Sequence, residues 1–189
     1  KSAVEDASLG IAQASIVTNQ EKLADRVAFV HEQVESDAMV EEYIEGRELY
    51  VGVIGNQRLQ TFPVWEMLFA KMPEGMPKIA TAKVKFDEEY QKKYGIDTQA
   101  AKDLPPGAEE RIFKLCKRVY RTLSLSGYAR MDLRLAPNGR IYVLEANPNP
   151  NLEYGEDFAE SAESVGISYE ALLQRMLNLG RRYRAAWRG

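Results

Sequence analysis

The sequence predicts an α+β fold in which antiparallel sheets are flanked by helices. Its strand candidates lie next to one another along the chain, which favours antiparallel pairing over a doubly wound parallel sheet. Two of them stand on either side of Asn138-Gly139, a dipeptide that tolerates the positive φ of a tight hairpin turn. Helical periodicity of apolar residues marks the segments before and after this hairpin. These three patterns together define the fold class.

The composition is that of a globular protein with a sizeable core. The chain has 189 residues, 45% of them apolar, and its 25 basic and 28 acidic residues give a net charge of −3. This balance offers no electrostatic case for nucleic-acid binding. No run approaches the roughly 18–20 apolar residues of a membrane span, and no signal peptide is visible. Cys116 is the only cysteine, which excludes an intrachain disulfide, so we expect a soluble cytoplasmic protein.

The first part of the chain predicts a loop, a short strand and a helix. Residues 5–10 are acidic and small, and an apolar run over 11–17 follows them. Thr18 or Asn19 then caps a helix whose apolar residues recur at helical spacing. Its stripe consists of Leu23, Val27, Val30 and Val34. Because no helix or strand precedes the loop, we expect the chain to be a piece of a longer protein.

The middle of the chain alternates between strand patterns and polar segments. A break at Gly46 separates the first two strands, and Gly55-Asn56 marks the next turn. The last strand candidate carries Lys83 and Lys85 on one face. The strand candidates are residues 38–45, 49–54, 58–66 and 79–86. Residues 87–103 are polar and weakly patterned, and no element is predicted there.

The second half predicts three helices around the hairpin. They cover residues 108–124, 157–164 and 168–184, the last of them capped by Ser168. We expect Cys116 to belong to the core of the first helix. The predicted core stripe of that helix consists of Ile112, Leu115, Val119 and Leu123.

The hairpin from Gly127 to Asn151 carries the sequence's clearest cluster of charged residues. With Asn138-Gly139 as a two-residue loop, Asp132 faces Glu145 and Arg130 faces Asn147, at Cβ separations of about 4.5–5.5 Å. Two facing carboxylates repel each other unless a cation lies between them, and Mg²⁺ takes oxygen ligands while keeping water and phosphate. The pattern predicts a Mg²⁺-phosphate site with an arginine beside it. The alternative is an ordinary amphipathic hairpin whose charged face is solvated.

Taken in order, the motifs resemble those of the ATP-grasp carboxylate–amine ligases, and within them the D-alanine–D-alanine ligase-like group. The motifs are a lysine with a small-residue loop, VEEYIEGREL, the lysine-bearing strand, GYARMDLRL and VLEANPNPN. The resemblance covers nearly the whole chain. It implies an ATP-grasp fold with the nucleotide between two subdomains: residues 1–45 as the remainder of the first, and 46–189 as the second, with the metal site. The family's N-terminal substrate domain would be absent from this chain.

The resemblance assigns nucleotide-binding roles along the chain. Lys1 resembles the lysine that holds nucleotide phosphate, and Ser8 of the following loop is assigned to the same ligand. Glu48 resembles the carboxylate that binds the ribose hydroxyls. Lys85 matches the phosphate-contacting lysine of the family's mobile loop, with Lys83 as the alternative. The hinge whose backbone meets the adenine edge would be formed by Glu41, Glu42, Tyr43 and Ile44.

The resemblance also implies the catalytic and metal roles. Asp132, Glu145 and Asn147 resemble the ligands of two Mg²⁺ ions, with Mn²⁺ as an alternative metal. Arg130 resembles the residue that steadies the transferring phosphate and the tetrahedral intermediate. The implied reaction uses ATP to convert a small-molecule carboxylate to an acyl-phosphate, from which an amine displaces phosphate. Two other classes remain open, a nucleotide-binding module without turnover and a structural domain without a ligand, and a homodimer is also left open.

The sequence departs from the D-alanine enzymes in two segments. Their loop reads Glu-Gly-Ser-Ser-Val-Gly, whereas Asp6 and Ala7 replace a glycine and a serine here, and Phe86 stands where a tyrosine commonly follows the loop lysine. The turn and Ser-Leu pair that grip the second substrate's carboxylate are replaced by the acidic residues 151–157. These acids argue against D-alanine as the acceptor and suit a cationic or amine-rich one better.

Overall fold

The computed structural model describes residues 1–4 and 10–184. Most of the loop predicted over 5–10, including Ser8, lies outside the described residues. The chain divides into two compact units by its internal contacts. The first is Lys1–Tyr43 with Leu68–Asp97, and the second is Ile44–Met67 with Thr98–Gly189. The subdomain boundary at residues 45 and 46 stays a prediction.

The first unit is built mainly from three helices, α1 (Gln20–Gln33), α2 (Ala82–Phe86) and α3 (Glu88–Tyr94). Asn19 caps α1 by accepting a hydrogen bond from the Lys22 amide at 2.9 Å, which confirms one of the two predicted caps. The strand predicted over 11–17 is wrong, because this run contains a 3₁₀ turn at Gln13–Ser15. The strand predicted over 38–45 is reduced to one isolated bridge between Ala38 and Ser2.

Most of an antiparallel sheet lies in the second unit, and residues 68–69 and 96–97, which belong to two of its strands, are assigned to the first unit. The strands of the sheet are β1 (Arg47–Ile54), β2 (Gln60–Thr61), β3 (Trp65–Phe69), β4 (Ile96–Ala100), β5 (Tyr128–Leu135) and β6 (Ile141–Asn147). Strand β1 pairs antiparallel with β2, β3 and β5, and β5 pairs antiparallel with β6. The order is β4-β3-β1-β5-β6, with β2 beside β1. The strand predicted over 58–66 is broken at Phe62-Pro63-Val64, because proline cannot donate to a strand ladder.

One face of the sheet packs on α4 (Ala108–Thr122) and forms the main core. Alternate residues of β1 and β5, among them Leu49, Val51 and Met131, are fully buried there. The helix begins where predicted, but its predicted stripe is only partly right, because Ile112 is buried and Val119 packs against the core while the other two positions lie further out. Leu115 and Val119 are half-buried, and Leu123 is 54% exposed. The residues that α4 buries are Ala108, Ile112, Cys116 and Tyr120.

Tyr120 explains why the buried stripe of α4 is rotated. A tyrosine side chain combines a large apolar ring with a hydroxyl that needs a partner when buried. The Tyr120 hydroxyl donates to the Gly55 carbonyl oxygen at 2.8 Å, and the ring is 1% exposed. This anchor turns the face of residues 108, 112, 116 and 120 toward the sheet and leaves Leu123 outside.

Cys116 should be chemically inert in the folded protein. Its side chain is buried in the main core, as predicted, and burial raises the pKa of its thiol to about 12. Because the thiolate is the reactive form, very little of it exists at neutral pH. We expect a maleimide or iodoacetamide to label Cys116 only at the rate of unfolding. Labelling at the rate of a free model thiol in native buffer would contradict this packing.

A second core lies where the other face of the sheet is covered by α5 (Asp157–Glu163) and α6 (Tyr169–Arg181). Phe158 of α5 packs edge-on against Phe62, with ring centroids 5.4 Å apart. Gly52 of β1 makes room for both rings, because a Cβ there would lie 2.7 Å from Phe62 and 3.0 Å from Phe158. Among the described residues, none of the helices has the length and apolar content that crossing a bilayer requires.

Candidate functional site

The hairpin of β5 and β6 brings together the predicted metal-site residues. Asp132 lies directly opposite Glu145, and Arg130 lies directly opposite Asn147, as the sequence predicts. Directly opposed residues of an antiparallel pair project to the same face of the sheet. The hairpin therefore places two carboxylates, one guanidinium and one amide on one surface.

The predicted turn is wrong, although the register at the site is right. Ala136 and Arg140 close the hairpin through an amide-to-carbonyl bond of 2.9 Å, so the loop has three residues, with Gly139 at φ +78°. A three-residue loop alone would place Leu144 opposite Asp132. A β-bulge between Asp132 and Leu133 absorbs one extra residue of β6 and returns Glu145 to that position.

Strand β1 adds two further side chains to the same face. Glu48 lies opposite Arg134, and Tyr50 lies opposite Asp132. Glu48 accepts hydrogen bonds from the Arg134 guanidinium and the Tyr50 hydroxyl, both at 2.9 Å. All three side chains are buried. Because burying a charge is costly unless it is paired, this network of hydrogen bonds is what allows a carboxylate to lie inside the sheet.

Arg130 is held from three sides. Its Nε and Nη2 donate to the two carboxylate oxygens of Asp132 at 2.8 Å and 2.9 Å, a bidentate fork. Its Nη1 donates to Asp157 Oδ2 at 3.0 Å. The guanidinium carbon lies 4.7 Å from the centre of the Tyr50 ring, within the range of a cation–π contact.

Burial and charge act on these groups in opposite directions. Burial lowers the pKa of Arg130, but the hydrogen bonds and charge of Asp132 and the charge of Asp157 outweigh it, and the net pKa is raised. Burial raises the pKa of Asp157, and Arg130 offsets this only in part. Burial also raises the pKa of Tyr50 well above its ordinary value, with Glu48 and Asp132 adding to the effect. The guanidinium is therefore a fixed positive charge, and the Tyr50 hydroxyl is a fixed donor.

The donor set on the hairpin suits a hard cation. Asp132 is buried in the fork of Arg130, Glu145 opposite it is exposed, and Asn147 accepts a hydrogen bond from the Asn149 amide at 2.8 Å. Carboxylate and amide oxygens are the ligands that Mg²⁺ prefers. Within residues 1–4 and 10–184, no three acidic, histidine or cysteine side chains converge as a complete metal cage. Water or phosphate oxygens would have to complete the shell, as is usual for Mg²⁺.

In the first unit, Lys1 and Glu41 come together. The Lys1 ammonium lies 2.5 Å from Glu41 Oε2. The Met39 amide donates to the Lys1 carbonyl at 2.8 Å, which aligns the two segments. The stretch that follows has neither helix nor strand structure, and the side chains of Glu41, Glu42 and Tyr43 are exposed. Ile44 is half-buried and is the first residue of the second unit.

The two predicted lysines lie on a helix, not on a strand. Thr81 caps α2 by accepting a hydrogen bond from the Val84 amide at 3.2 Å. Residues 82–86 therefore form a short helix, whereas the sequence predicts an extended strand. On a helix, residues two apart do not share a face. Lys83 is exposed and Lys85 is half-buried, so their predicted common face is wrong. The segment predicted to lack elements contains α3 and β4.

Three side chains of the site were not assigned from the sequence, namely Tyr50, Arg134 and Asp157. Period-2 alternation would have found the first two, because Tyr50 follows Glu48 by two residues and Arg134 follows Asp132 by two. Asp157 reaches the site through tertiary packing of α5, for which the sequence carries no local signal. The nucleotide, metal and catalytic roles of all the site residues stay predictions.

The chain is similar in sequence to D-alanine–D-alanine ligases. The family model described as D-ala D-ala ligase C-terminus matches residues 1–178. A D-alanine–D-alanine ligase of Polaromonas naphthalenivorans is 32% identical over 182 residues, covering 94% of this chain and 50% of that protein. The uncharacterized protein y4sG of Sinorhizobium fredii is 30% identical over 182 residues, with the same coverage. The chain thus spans about half the length of these relatives.

Solved structures agree on the fold. The D-alanine–D-alanine ligase of Bacillus anthracis complexed with ATP matches 88% of this chain and 48% of its own, with a TM-score of 0.68 and 22% identity. The VanG D-Ala:D-Ser ligase of Enterococcus faecalis matches 91% of this chain and 46% of its own, with a TM-score of 0.67 and 22% identity. The fold is ATP-grasp, an antiparallel sheet flanked by helices, as predicted. The chain belongs to the family of D-alanine–D-alanine ligase C-terminal domains.

Proposed function

We propose that this chain is the nucleotide-binding and catalytic part of an ATP-dependent ligase that joins a carboxylate to an amine. The observation that carries the proposal is the bidentate fork of Arg130 on Asp132, with Glu145 directly opposite on the same face. This arrangement combines the fixed positive charge of Arg130 with one exposed carboxylate ligand, Glu145. Phosphoryl transfer depends mainly on such positioning and charge neutralisation, not on a protein nucleophile.

The proposed reaction has two balanced steps. A carboxylate oxygen of the first substrate attacks the γ-phosphorus of ATP, and the bond from that phosphorus to the β-γ bridging oxygen breaks, which releases ADP. The amine nitrogen of the second substrate then attacks the acyl carbon, and phosphate leaves as the amine loses a proton. Arg130 would stabilise the negative charge in both steps, and Lys85 would contact the transferring phosphate.

The proposed binding roles are those that the family resemblance assigns. We propose that Lys1 and Ser8 bind nucleotide phosphate, and that the stretch from Glu41 to Ile44 meets the adenine. Glu48 would bind the ribose, with its carboxylate oriented by Arg134 and Tyr50. Asp132, Glu145 and Asn147 would hold Mg²⁺ or Mn²⁺, which would supply charge neutralisation at the phosphates. Lys83 is the alternative to Lys85 for phosphate contact.

The second substrate is proposed to differ from D-alanine. By the resemblance, segment 151–157 stands where the D-alanine enzymes grip a carboxylate. It presents Glu153 and Glu156 to solvent, while its third acid, Asp157, is buried against Arg130. Burial raises the pKa of Glu156, and the charges of Asp157 and Glu153 add to the effect. A second carboxylate would be repelled at such a surface, so we propose an acceptor with an additional amine or other cationic group.

The test compares nucleotide binding and turnover in the intact protein. Titration calorimetry with a non-hydrolysable ATP analogue should show binding that depends on Mg²⁺. ADP release should require a carboxylate and an amine, supplied as pools of amino acids and small carboxylates. Glu145→Gln should weaken the Mg²⁺ dependence of both by roughly 10–100-fold, the usual cost of disturbing a metal site.

The outcomes separate the alternatives. Glu163→Gln, an exposed carboxylate of α5, is the matched control and should behave as the wild type. Mg²⁺-dependent ATP binding without ADP release from any pool would favour a nucleotide-binding module. No binding, and a melting temperature unaffected by Mg-ATP, would favour a structural domain, because a ligand at 100 times its Kd should add about 2.7 kcal/mol.

A further inference from the structure

Asp157 reaches Arg130 because of how α5 sits on the sheet. Gly52 lies directly opposite Arg130 in the pairing of β1 with β5. With no side chain at that position, Phe158 packs onto the strand, and its ring is 1% exposed. Asp157 precedes Phe158 in the chain and is therefore delivered to the guanidinium beside the gap. The contact depends on a packing anchor, so it is fixed by the fold and does not rely on a freely rotating surface side chain.

The Arg130 contacts use different parts of the guanidinium. Asp132 accepts from Nε and Nη2, Asp157 accepts from Nη1, and the Tyr50 ring centre lies 4.7 Å from the guanidinium carbon. The side chains of Arg130, Asp132 and Asp157 are 13%, 8% and 8% exposed. A guanidinium has five N–H donors, so donors remain on its terminal nitrogens for an anion.

The charge balance argues against a purely structural role for Asp157. Asp132 alone neutralises Arg130 through the fork. With Asp157 added, the three side chains by themselves carry one excess negative charge. Burial accordingly raises the pKa of Asp157, and the charge of Asp132 adds to that rise. A neutral side chain in this place would be less costly to bury. The carboxylate is therefore better explained by what it does to Arg130 than by what it adds to stability.

We propose that Asp157 is a positioning residue that fixes the plane of the Arg130 guanidinium for the reacting phosphate. With Asp132 as its only partner, the guanidinium could swing together with that carboxylate about one hinge. The second attachment at Nη1 removes this freedom and aims the remaining donors. The inference rests on the proposed function, because it takes the anion at Arg130 to be the phosphate of that reaction. No cofactor outside that reaction is required.

The test replaces Asp157 in the intact protein and measures both catalysis and the mobility of Arg130. Asp157→Asn should lower kcat for ADP release by about 10–100-fold, the range for residues that orient a catalytic group. The KM for ATP should change less than kcat. Asp157→Glu, which keeps the charge, should recover part of the loss. In ¹⁵N NMR spectra, the Arg130 side-chain signals should be separate and slowly exchanging in the wild type and averaged in Asp157→Asn.

Each outcome bears on the inference. Glu163→Gln on the same helix is the control and should leave kcat and the Arg130 signals unchanged. Loss of kcat matched by loss of folded protein in thermal melts, with ordered Arg130 signals in the remainder, would overturn the positioning role. Separate, slowly exchanging Arg130 signals in a wild type that turns over no substrate would refute the ligase proposal but support the positioning of Arg130 by Asp157. Averaged Arg130 signals in the wild type would refute the positioning role of Asp157 itself.

Discussion

Replacing Arg130 by methionine should destabilise the protein by about 3–5 kcal/mol, the usual cost of removing one partner of a buried ion pair. The arginine is the shared partner of Asp132 and Asp157, and both carboxylates lie out of solvent. Methionine keeps much of the side-chain volume but leaves both carboxylates buried without their cation. For a chain of this size, the melting temperature should fall by roughly 6–20 °C. Differential scanning calorimetry measures the change.

The Arg130→Met deficit should depend on pH. The pKa of Asp157 is already raised by burial, and Arg130 opposes that rise, so its removal should raise the pKa further. A carboxyl group with a raised pKa binds its proton more tightly in the folded state than in the unfolded state. The folded state is therefore stabilised as the pH falls through the folded-state pKa of that group. The deficit should therefore be largest near pH 7 and smaller near pH 5.

Two comparisons make the Arg130 experiment specific. Arg118→Met removes an exposed arginine of α4 and should change the melting temperature little. The double variant Arg130→Met with Asp157→Asn should be more stable than Arg130→Met alone, because it leaves one fewer unpaired charge. A single variant as stable as the wild type, or a double variant worse than the single, would show that the buried ion group does not hold this part of the fold.

The sequence predicts the pairing of the hairpin strands correctly, although it misses the loop length and the bulge. Alternation in β5 and the Asn-Gly turn signal identified the two strands, and the facing pairs Asp132–Glu145 and Arg130–Asn147 are as predicted. The loop has one residue more than the predicted turn, and a bulge in β6 compensates for it. The alternation of polar and apolar residues reveals neither the longer loop nor the bulge. Each shifts the register by one residue, and the two shifts cancel at the site.

Elsewhere, tertiary packing decided what local patterns could not. The stripe of α4 was assigned from aliphatic residues alone, but Tyr120 packs more area and finds a partner for its hydroxyl. The segment with Lys83 and Lys85 alternates like a strand, yet the Thr81 cap starts a short helix. Asp157 had no local signal, because its place at Arg130 follows from the packing of its neighbour Phe158 against Gly52, which is distant in sequence.

Replacing Asp132 by asparagine should reduce Mg²⁺-dependent ADP release by about 10²–10³-fold, the range for losing a group that stabilises developing charge. Two effects combine in this variant. The neutral amide is a poorer ligand for Mg²⁺, and its NH₂ group cannot accept from Arg130, so the bidentate fork is broken. Steady-state ADP release at several Mg²⁺ concentrations measures the loss.

The dependence of Asp132→Asn on metal concentration separates the two effects. If Asp132 holds the metal, raising Mg²⁺ or substituting Mn²⁺ should restore part of the activity, because a weakened site still fills by mass action. If Asp132 only orients Arg130, the loss should be the same at every metal concentration, as we expect for Asp157→Asn. Asp25→Asn, an exposed carboxylate of α1, serves as the control. A loss of ADP release in Asp132→Asn that is the same at every metal concentration would show that Asp132 is not a metal ligand. Its contribution would then be the orientation of Arg130 through the bidentate fork.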